Sequence, residues 1–178
     1  IKETGLGKHD GLIRVWTRWD GSDFNQSLPL IRSEHYFPDI EDPELIRKCL
    51  MDYRMEWDKS IDINEEIKEF RTDNLGNRVV NKSVANTSQR EFIDKKIYFR
   101  SEENDDIYLW ITSAPDELYP INKYTRSDSL LGINRIGKRT NGKPGCYYHA
   151  ISQTDVKISP WFNNVLLPIV ASNMTEWG

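Results

Sequence analysis

The sequence lacks the features that mark several common protein classes. It has two cysteines, Cys49 and Cys146, and they form no CxxC motif, so a disulfide framework is excluded. No apolar run approaches the roughly 20 residues that a membrane-spanning helix needs. The net charge is −4, so the excess of Lys and Arg on which nucleic-acid binders depend is absent. We therefore expect no transmembrane helix and no nucleic-acid partner.

What is present is typical of a soluble, folded chain. Of the 178 residues, 38% are hydrophobic and 11% are aromatic, which is too many for a disordered chain. No internal repeat or Gly/Ser linker divides the sequence, so residues 1–178 are predicted to form a single domain. The chain begins at Ile1 without a methionine or a signal-peptide pattern, from which we expect that upstream sequence has been removed. Localisation therefore stays open between the cytosol and export.

Hydrophobic alternation and capping residues predict two strands followed by two helices. Residues 11–20 alternate between apolar and polar side chains, and residues 27–37 form the second candidate strand. Asp42 is a favourable N-cap, and Pro43 after it suits the first helical position, so a helix is predicted to begin there. A second, short helix is predicted at residues 53–61.

The rest of the chain reads as an antiparallel meander closed by one helix. Its predicted hairpins join residues 63–72 to 78–85, 92–100 to 107–113, and 123–136 to 145–154. A last helix is predicted from Ser159 to Trp177. Strands, helices, a meander and a final helix in this order indicate an α+β fold. A long twisted antiparallel sheet is expected to curl around that helix, leaving either packed core or a cavity between them.

The last helix carries an apolar stripe. Phe162, Leu166, Ile169 and Val170 follow helical spacing, and the segment contains no Lys or Arg. Pro168 removes one backbone hydrogen bond and kinks the helix. Two interpretations stay open: a core helix with a tolerated kink, or a helix that closes over an apolar cavity and swings at the kink.

Two charged residues could form a functional pair. Arg54 and Asp58 are four residues apart, so on a helix the guanidinium and the carboxylate share one face. The pair is either an ordinary surface ion pair or the charged end of a cavity that receives a polar ligand head. The sequence gives little support for a hydrolase or a metal site, because the three histidines lie far apart and no catalytic or metal-ligand motif occurs.

Several motifs resemble those of START domains, the steroidogenic-acute-regulatory-related lipid-transfer domains. They are the opening strand IRVWTRWD, Arg54-x-x-Trp57-Asp58, Ser88-Gln89-Arg90-Glu91-Phe92-Ile93, the segment Ser113…Pro120…Thr125-Arg126, and Asp155-Val156-Lys157-Ile158-Ser159-Pro160 before the last helix. Two departures are Glu91 in place of the usual Asp and a missing glycine before Ile158. Compared with that family, the N-terminal helix and the end of the last helix look truncated. The order and spacing of the motifs extend over nearly the whole chain.

The resemblance implies a helix-grip fold: a curved antiparallel sheet wrapped around a long C-terminal helix, with an internal lipid tunnel. It implies no catalytic residue, cofactor or metal, and it places Arg54 and Asp58 at the lipid head group. The residues that it places in the cavity wall are Trp57, Phe92, Trp110, Tyr148, Phe162, Leu166, Ile169 and Val170. The residues that it assigns to the gate, which also touches the membrane, are Val84, Ala85, Asn86 and Pro168.

The implied function is the binding and intermembrane transfer of one lipid by a monomer that contacts membranes transiently. An aromatic cage for choline is poorly matched, since Phe92 fits one cage position but Asn81 and Lys82 stand where an aromatic is needed. A glycerophospholipid of broader head-group type is therefore expected. The alternatives are a sterol or ceramide binder, a lipid sensor, an enzyme on the same scaffold, and an interaction domain with a filled core.

Overall fold

A computed structural model gives the fold of the chain. It describes residues 2–3, 13–18, 28–73, 76–85, 89–116, 119–121, 123–140 and 142–165, except for the side chains of 2–3, 68–73 and 76–78. The strands in this part of the chain are β1 (Lys2–Glu3), β2 (Ile13–Arg18), β3 (Leu30–Phe37), β4 (Ile61–Asp73), β5 (Gly76–Ala85), β6 (Arg90–Arg100), β7 (Ile107–Ser113), β8 (Thr125–Arg126), β9 (Asp128–Lys138) and β10 (Cys146–Asp155). Helices α1 (Pro43–Met51) and α2 (Arg54–Trp57) separate β3 from β4.

All ten strands belong to one sheet. Nine of them follow the order β1-β2-β3-β10-β9-β7-β6-β5-β4, and each neighbouring pair is antiparallel. The two-residue strand β8 pairs in parallel with β6. The expected α+β fold, an open antiparallel sheet with few helices, is confirmed.

Side-chain alternation explains why the strands form where they do. In β2, Ile13, Val15 and Thr17 are buried on the inner face, whereas Arg14 and Arg18 are exposed on the outer face. In β7, Ile107 and Leu109 are likewise buried, and Ile46 of α1 packs against Ile107.

The helix starts follow from local hydrogen bonding. The Asp42 side chain accepts a hydrogen bond of 2.9 Å from the Glu44 backbone N–H, so the predicted N-cap of α1 is confirmed. Helix α2 is shorter than predicted because the backbone at Asp58 is extended. The Asp58 carboxylate accepts hydrogen bonds from the backbone N–H and the hydroxyl of Ser60. These bonds stabilise a turn, and the helix ends there.

The strand predicted at residues 123–136 is interrupted. Thr125 and Arg126 pair with β6, and the Ser127 backbone N–H donates a 2.9 Å hydrogen bond to the carbonyl of Glu91. The chain then joins the antiparallel sheet as β9. Pairing with a distant strand therefore decided this boundary, which the local pattern could not show.

The turn before β10 requires a glycine. Gly145 has a φ of +92°, and a Cβ at this position would lie 2.1 Å from the carbonyl oxygen of Phe37. Its own carbonyl accepts a 3.0 Å hydrogen bond from the Arg139 backbone N–H. This close approach sets the register between β9, β10 and β3, which together form one wall of the inner face.

Helix α1 closes one end of the inner face. Ile46 of α1 packs with Ile107, Ile136 and Cys146, which come from three neighbouring strands. Leu50 lies at the edge of this cluster. A cavity begins where the cluster ends.

Residues 160–165 are helical and lie near the inner face. The Ser159 hydroxyl accepts a hydrogen bond from the Phe162 backbone N–H at 3.3 Å, consistent with the predicted helix start. Asn163 lines the cavity and Asn164 is buried. The remainder of the predicted helix, to Trp177, lies outside the described residues.

Candidate functional site

A cavity of about 500 Å³ lies between the inner face of the sheet, the two short helices and the start of the C-terminal helix. This volume is in the range of pockets that hold a whole drug-sized organic molecule. Its apolar wall includes Ile31, Phe92, Leu109, Ile111, Leu131 and Ala150. Three charged side chains, Arg54, Asp94 and Lys96, also line it. A mostly apolar chamber with a few charged groups suits an amphiphilic ligand.

The predicted pair of Arg54 and Asp58 forms at the edge of this cavity. The Arg54 Nε lies 3.1 Å from Asp58 Oδ2, and the Asp58 side chain is only 2% exposed. Arg54 lines the cavity and its carboxylate partner is buried, which favours the cavity interpretation over an ordinary surface pair. Burial opposes ionisation of Asp58, but hydrogen bonds from Ser60 and the Arg54 charge outweigh it and hold the Asp58 pKa below its ordinary value.

Two further charged residues of the cavity, Asp94 and Lys96, were missed by the sequence analysis. They follow Phe92 at two-residue spacing on β6, so all three side chains share the inner face. Both charged side chains are buried, with exposures of 7% for Asp94 and 4% for Lys96. The spacing from Phe92 was a usable signal, but a run of charged residues in a strand ordinarily indicates a solvent-facing side.

The lysine is held by a neighbouring amide. Lys96 Nζ donates a 2.9 Å hydrogen bond to Asn81 Oδ1, and the Asn81 amide nitrogen donates to the carbonyl of Glu65 at 3.0 Å. Burial and the nearby Arg54 guanidinium lower the pKa of Lys96 to about 8, although the negative charge of Asp94 acts in the opposite direction. Burial also raises the pKa of Asp94. The cavity thus holds a cation that can lose its proton near neutral pH.

Opposite this group lies a neutral polar pair. The Tyr148 hydroxyl donates a 2.9 Å hydrogen bond to Asn134 Oδ1, and both residues line the cavity. Burial raises the pKa of Tyr148 to about 12, so its hydroxyl stays protonated at neutral pH. The pair adds hydrogen-bonding capacity without adding charge.

Only some of the predicted wall residues line the cavity. Phe92 and Tyr148 do. Trp57 does not, and its indole N–H donates a 2.8 Å hydrogen bond to the carbonyl of Cys49 instead. Trp110 is 52% exposed, because it lies between Leu109 and Ile111 on β7 and therefore on the outer face. The prediction for Trp110 is corrected accordingly.

The C-terminal wall and gate residues can be placed only in part. Phe162 is 46% exposed and is not among the residues that line the cavity. The other predicted positions of this segment and of the gate loop lie outside the described residues; they are Asn86, Leu166, Pro168, Ile169 and Val170.

The strand end assigned to the gate differs from the prediction in one respect. Val84 is 1% exposed and belongs to β5, so its side chain cannot form a membrane-touching surface as predicted. Ala85, the last residue of the strand, lines the cavity. Successive side chains of a strand point to opposite faces of the sheet, so Ala85 faces the cavity and Val84 does not.

The described histidines form no catalytic group. His35 lies on the inner face of β3, where burial and the nearby His149 lower its pKa to about 4. His149 lies on the outer face of β10, between the rings of Tyr36 and Tyr147. Within the described part of the chain, no group of three or more His, Cys, Asp or Glu residues could hold a metal ion, and no helix is long and apolar enough to cross a membrane.

The chain is similar in structure to several STAR-related lipid transfer proteins and domains. Human STARD10 is similar with a TM-score of 0.73 and 18% identity, over 93% of this chain and 66% of that chain. The human StarD13 (DLC2) lipid transfer and protein localization domain gives 0.67 and 17%, over 89% and 81%. A STAR-related lipid transfer protein from Xanthomonas axonopodis gives 0.67 and 15%, over 97% and 94%.

These similarities confirm the resemblance at the level of the fold: the chain has the START helix-grip fold. No protein-family model matches the sequence, and a search of curated proteins finds no match. The chain spans 66% of the length of STARD10, the first of these structures.

Proposed function

We propose that the chain is a non-catalytic carrier that binds one lipid in the cavity and transfers it between membranes. The observation that carries the proposal is an apolar chamber that contains charged side chains, the buried Lys96 and the partly exposed Arg54 among them, in a START fold. The solved structures that share this fold include proteins named for lipid transfer. We further propose that the ligand is a glycerophospholipid and that the carrier acts as a monomer.

The apolar wall explains why a closed cavity accelerates transfer. A diacyl lipid has roughly 30 methylenes, each worth about 0.8 kcal/mol on transfer from water, so free passage through water faces a barrier of about 20 kcal/mol. A chamber lined by residues such as Leu109, Ile111 and Leu131 surrounds the acyl chains with apolar side chains while the lipid passes between membranes. The carrier therefore lowers the barrier without any chemical step.

The charged side chains favour a phospholipid. In this proposal the Arg54 guanidinium and the Lys96 ammonium bind the lipid phosphate, and the hydrogen bond to Asp58 holds Arg54 in position. Asp58 is suited to that role because its carboxylate is held by three hydrogen bonds, two from Ser60 and one from Arg54. Burying these charges is unfavourable without a polar ligand, and a phosphate would offset that cost.

Entry requires part of the wall to move. We propose that the gate lies between Ala85 at the end of β5 and the C-terminal helix, since Ala85 and Asn163 line the same cavity from these two elements. The contributions of Asn86 and Pro168 to this gate and to transient membrane contact stay predictions.

A sterol is the second candidate ligand, and the cavity volume favours it. About 500 Å³ suits a compact molecule of drug size, whereas a diacyl phospholipid is larger and needs the wall to widen. A sterol hydroxyl could accept a hydrogen bond from Arg54, but it would offer no anionic group to Lys96. Direct competition between the two lipids separates the candidates.

Arg54→Leu is expected to weaken phospholipid loading at least tenfold. A hydrogen bond to a charged group contributes about 1.5–3 kcal/mol, and the substitution removes one such donor from the head group. The measurement is the transfer of fluorescent phospholipid and of fluorescent sterol between vesicles, together with the lipid bound per protein after incubation. The wild type should transfer phospholipid in proportion to its concentration.

Arg100→Leu is the matched control, because Arg100 is 43% exposed and pairs with Asp105 in a surface turn. It should transfer phospholipid at the wild-type rate. A folded Arg54→Leu protein that does the same would remove Arg54 from the head-group site. A wild type that transfers sterol but not phospholipid would establish the second candidate, and transfer of neither would end the carrier proposal.

A further inference from the structure

Asp94 is a buried carboxylate that the proposed phosphate site does not use. Its side chain is 7% exposed and lines the cavity between Phe92 and Lys96 on β6. Its Oδ1 atom is buried and has no hydrogen-bond partner in the structure. The nearby Ser129 side chain favours the ionised carboxylate and lowers the pKa of Asp94, against the larger effect of burial. Rotation about the Cβ–Cγ bond is soft and two-fold, so either oxygen can meet a donor from the cavity. A buried acceptor without a donor is unfavourable until a ligand supplies one.

The charges around Asp94 indicate which kind of donor fits. The positive charges of Lys96 and Arg54 favour ionisation of the Asp94 carboxylate and lower its pKa, whereas the negative charge of Asp128 opposes ionisation. Arg54 already has its own carboxylate partner in Asp58. Asp128 is itself paired with Lys157, so Arg54 and Lys96 are balanced by the carboxylates Asp58 and Asp94. A ligand without net charge therefore leaves the cluster neutral, whereas an anionic lipid adds an uncompensated charge.

We propose that Asp94 accepts a hydrogen bond from a primary ammonium group on a zwitterionic lipid head whose phosphate lies against Lys96 and Arg54. This inference rests on the proposed function and specifies its ligand. It assigns the positive part of the head group to Asp94 and the negative part to the two cations. The head group thereby pairs every charge in the cluster.

The ammonium must carry N–H groups. A quaternary trimethylammonium has no donor for the Asp94 oxygen, and its recognition usually depends on a cage of aromatic rings. Phe92 and Tyr148 are the aromatic residues that line the described part of the cavity, and the Tyr148 hydroxyl is hydrogen bonded to Asn134. Two rings do not make a cage, so this described part of the cavity favours a primary amine over choline.

Phosphatidylethanolamine and its mono-, di- and trimethylated forms test this inference on the wild-type protein. Vesicles of each lipid with identical acyl chains are incubated with delipidated protein, and the lipid bound per protein is measured by native mass spectrometry. The charge is the same across the series, while the N–H donors fall from three to none. We expect loading to fall stepwise, with the unmethylated lipid preferred at least tenfold over the trimethylated one.

Asp94→Asn should remove this preference, so that the four lipids load to the same extent as one another. Asp62→Asn is the matched control, since Asp62 is exposed on β4, and it should keep the preference. Equal loading across the series by the wild type, or a preference that survives in folded Asp94→Asn, would overturn the assignment of Asp94 while leaving the carrier proposal intact. If the wild type loads none of the four lipids, the phospholipid proposal fails and this inference fails with it.

Discussion

Replacing Arg126 by methionine is expected to lower the free energy of unfolding by about 3–5 kcal/mol, because it leaves the buried Glu91 carboxylate without its main partner. The Arg126 and Glu91 side chains are each 5% exposed, and two guanidinium nitrogens lie 2.9 and 3.2 Å from Glu91 Oε1. The same guanidinium bonds to Asp116 and to the carbonyl of Tyr119 at 2.8 and 3.0 Å. These contacts fix the segment before β9 against β6, whose other face carries the charged cavity residues.

The measurement for Arg126→Met is thermal and urea unfolding, with an expected fall in midpoint of about 10 °C for a chain of this size. Arg100→Met is the matched control, because its partner Asp105 is 74% exposed, and it should change the stability by about 1 kcal/mol or less. Adding Glu91→Leu to Arg126→Met should recover part of the loss, since the lone buried charge is then gone. Similar losses for Arg126→Met and Arg100→Met would contradict the buried-pair interpretation.

Phospholipid binding is expected to weaken by up to about tenfold as the pH rises from 7 to 9, because the protonated fraction of Lys96 falls about tenfold in this interval. Its pKa of about 8 follows from burial and from the neighbouring Arg54 charge, opposed by Asp94. A hydrogen bond to a charged group is worth about 1.5–3 kcal/mol, so the protein with a protonated Lys96 accounts for most of the binding and the protonated fraction sets the size of the effect. Tyr148, with a pKa of about 12, does not titrate in this range.

The stability of the lipid-free protein should change in the opposite direction. Between pH 8 and about 10.5, Lys96 is protonated in the unfolded chain and neutral in the folded one, so the unfolded state binds more protons and this residue's contribution to stability rises with pH. Below pH 8 the lysine is charged in both states, and the penalty for burying it is fully present. Weaker binding together with greater stability is therefore the signature of this one group.

Lys96→Met should bind phospholipid weakly at every pH and show a flat binding profile between pH 7 and 9. Lys143→Met is the control, since Lys143 is exposed in the loop before β10, and it should retain the wild-type profile. Equilibrium binding of one fluorescent phospholipid at a series of pH values gives all three curves. A Lys96→Met protein that still loses affinity between pH 7 and 9 would assign the effect to another residue.

Much of the fold could be predicted because its determinants are local. The alternation at residues 11–20 and the Asp42-Pro43 start of α1 were sufficient to predict β2 and α1. The boundaries that failed depend on distant partners: β8 ends its parallel pairing with β6 at Arg126, and Asp58 ends α2 by bonding to Ser60. Strands β8 and β6 are too far apart in the sequence for one local window to contain both.

The site was less predictable because an alternating pattern does not state which face is inside. In β7, Leu109, Trp110 and Ile111 are all apolar, and the family resemblance placed Trp110 in the wall, yet only its two neighbours line the cavity. Asp94 and Lys96 show the converse, since charged side chains ordinarily face solvent and these two are buried. Their unfavourable burial is the physical reason to regard this end of the cavity as a binding site.

Native mass spectrometry of the protein, purified from cells without detergent and sprayed from a volatile buffer, tests most directly whether the cavity holds one lipid. We expect a species heavier than the polypeptide by the mass of a single phospholipid, whose identity fragmentation would give, and loss of that species in Arg54→Leu but not in Arg100→Leu. A wild-type protein that carries only the polypeptide mass, both as purified and after incubation with phospholipid and sterol vesicles, would contradict the assignment of the cavity to a lipid.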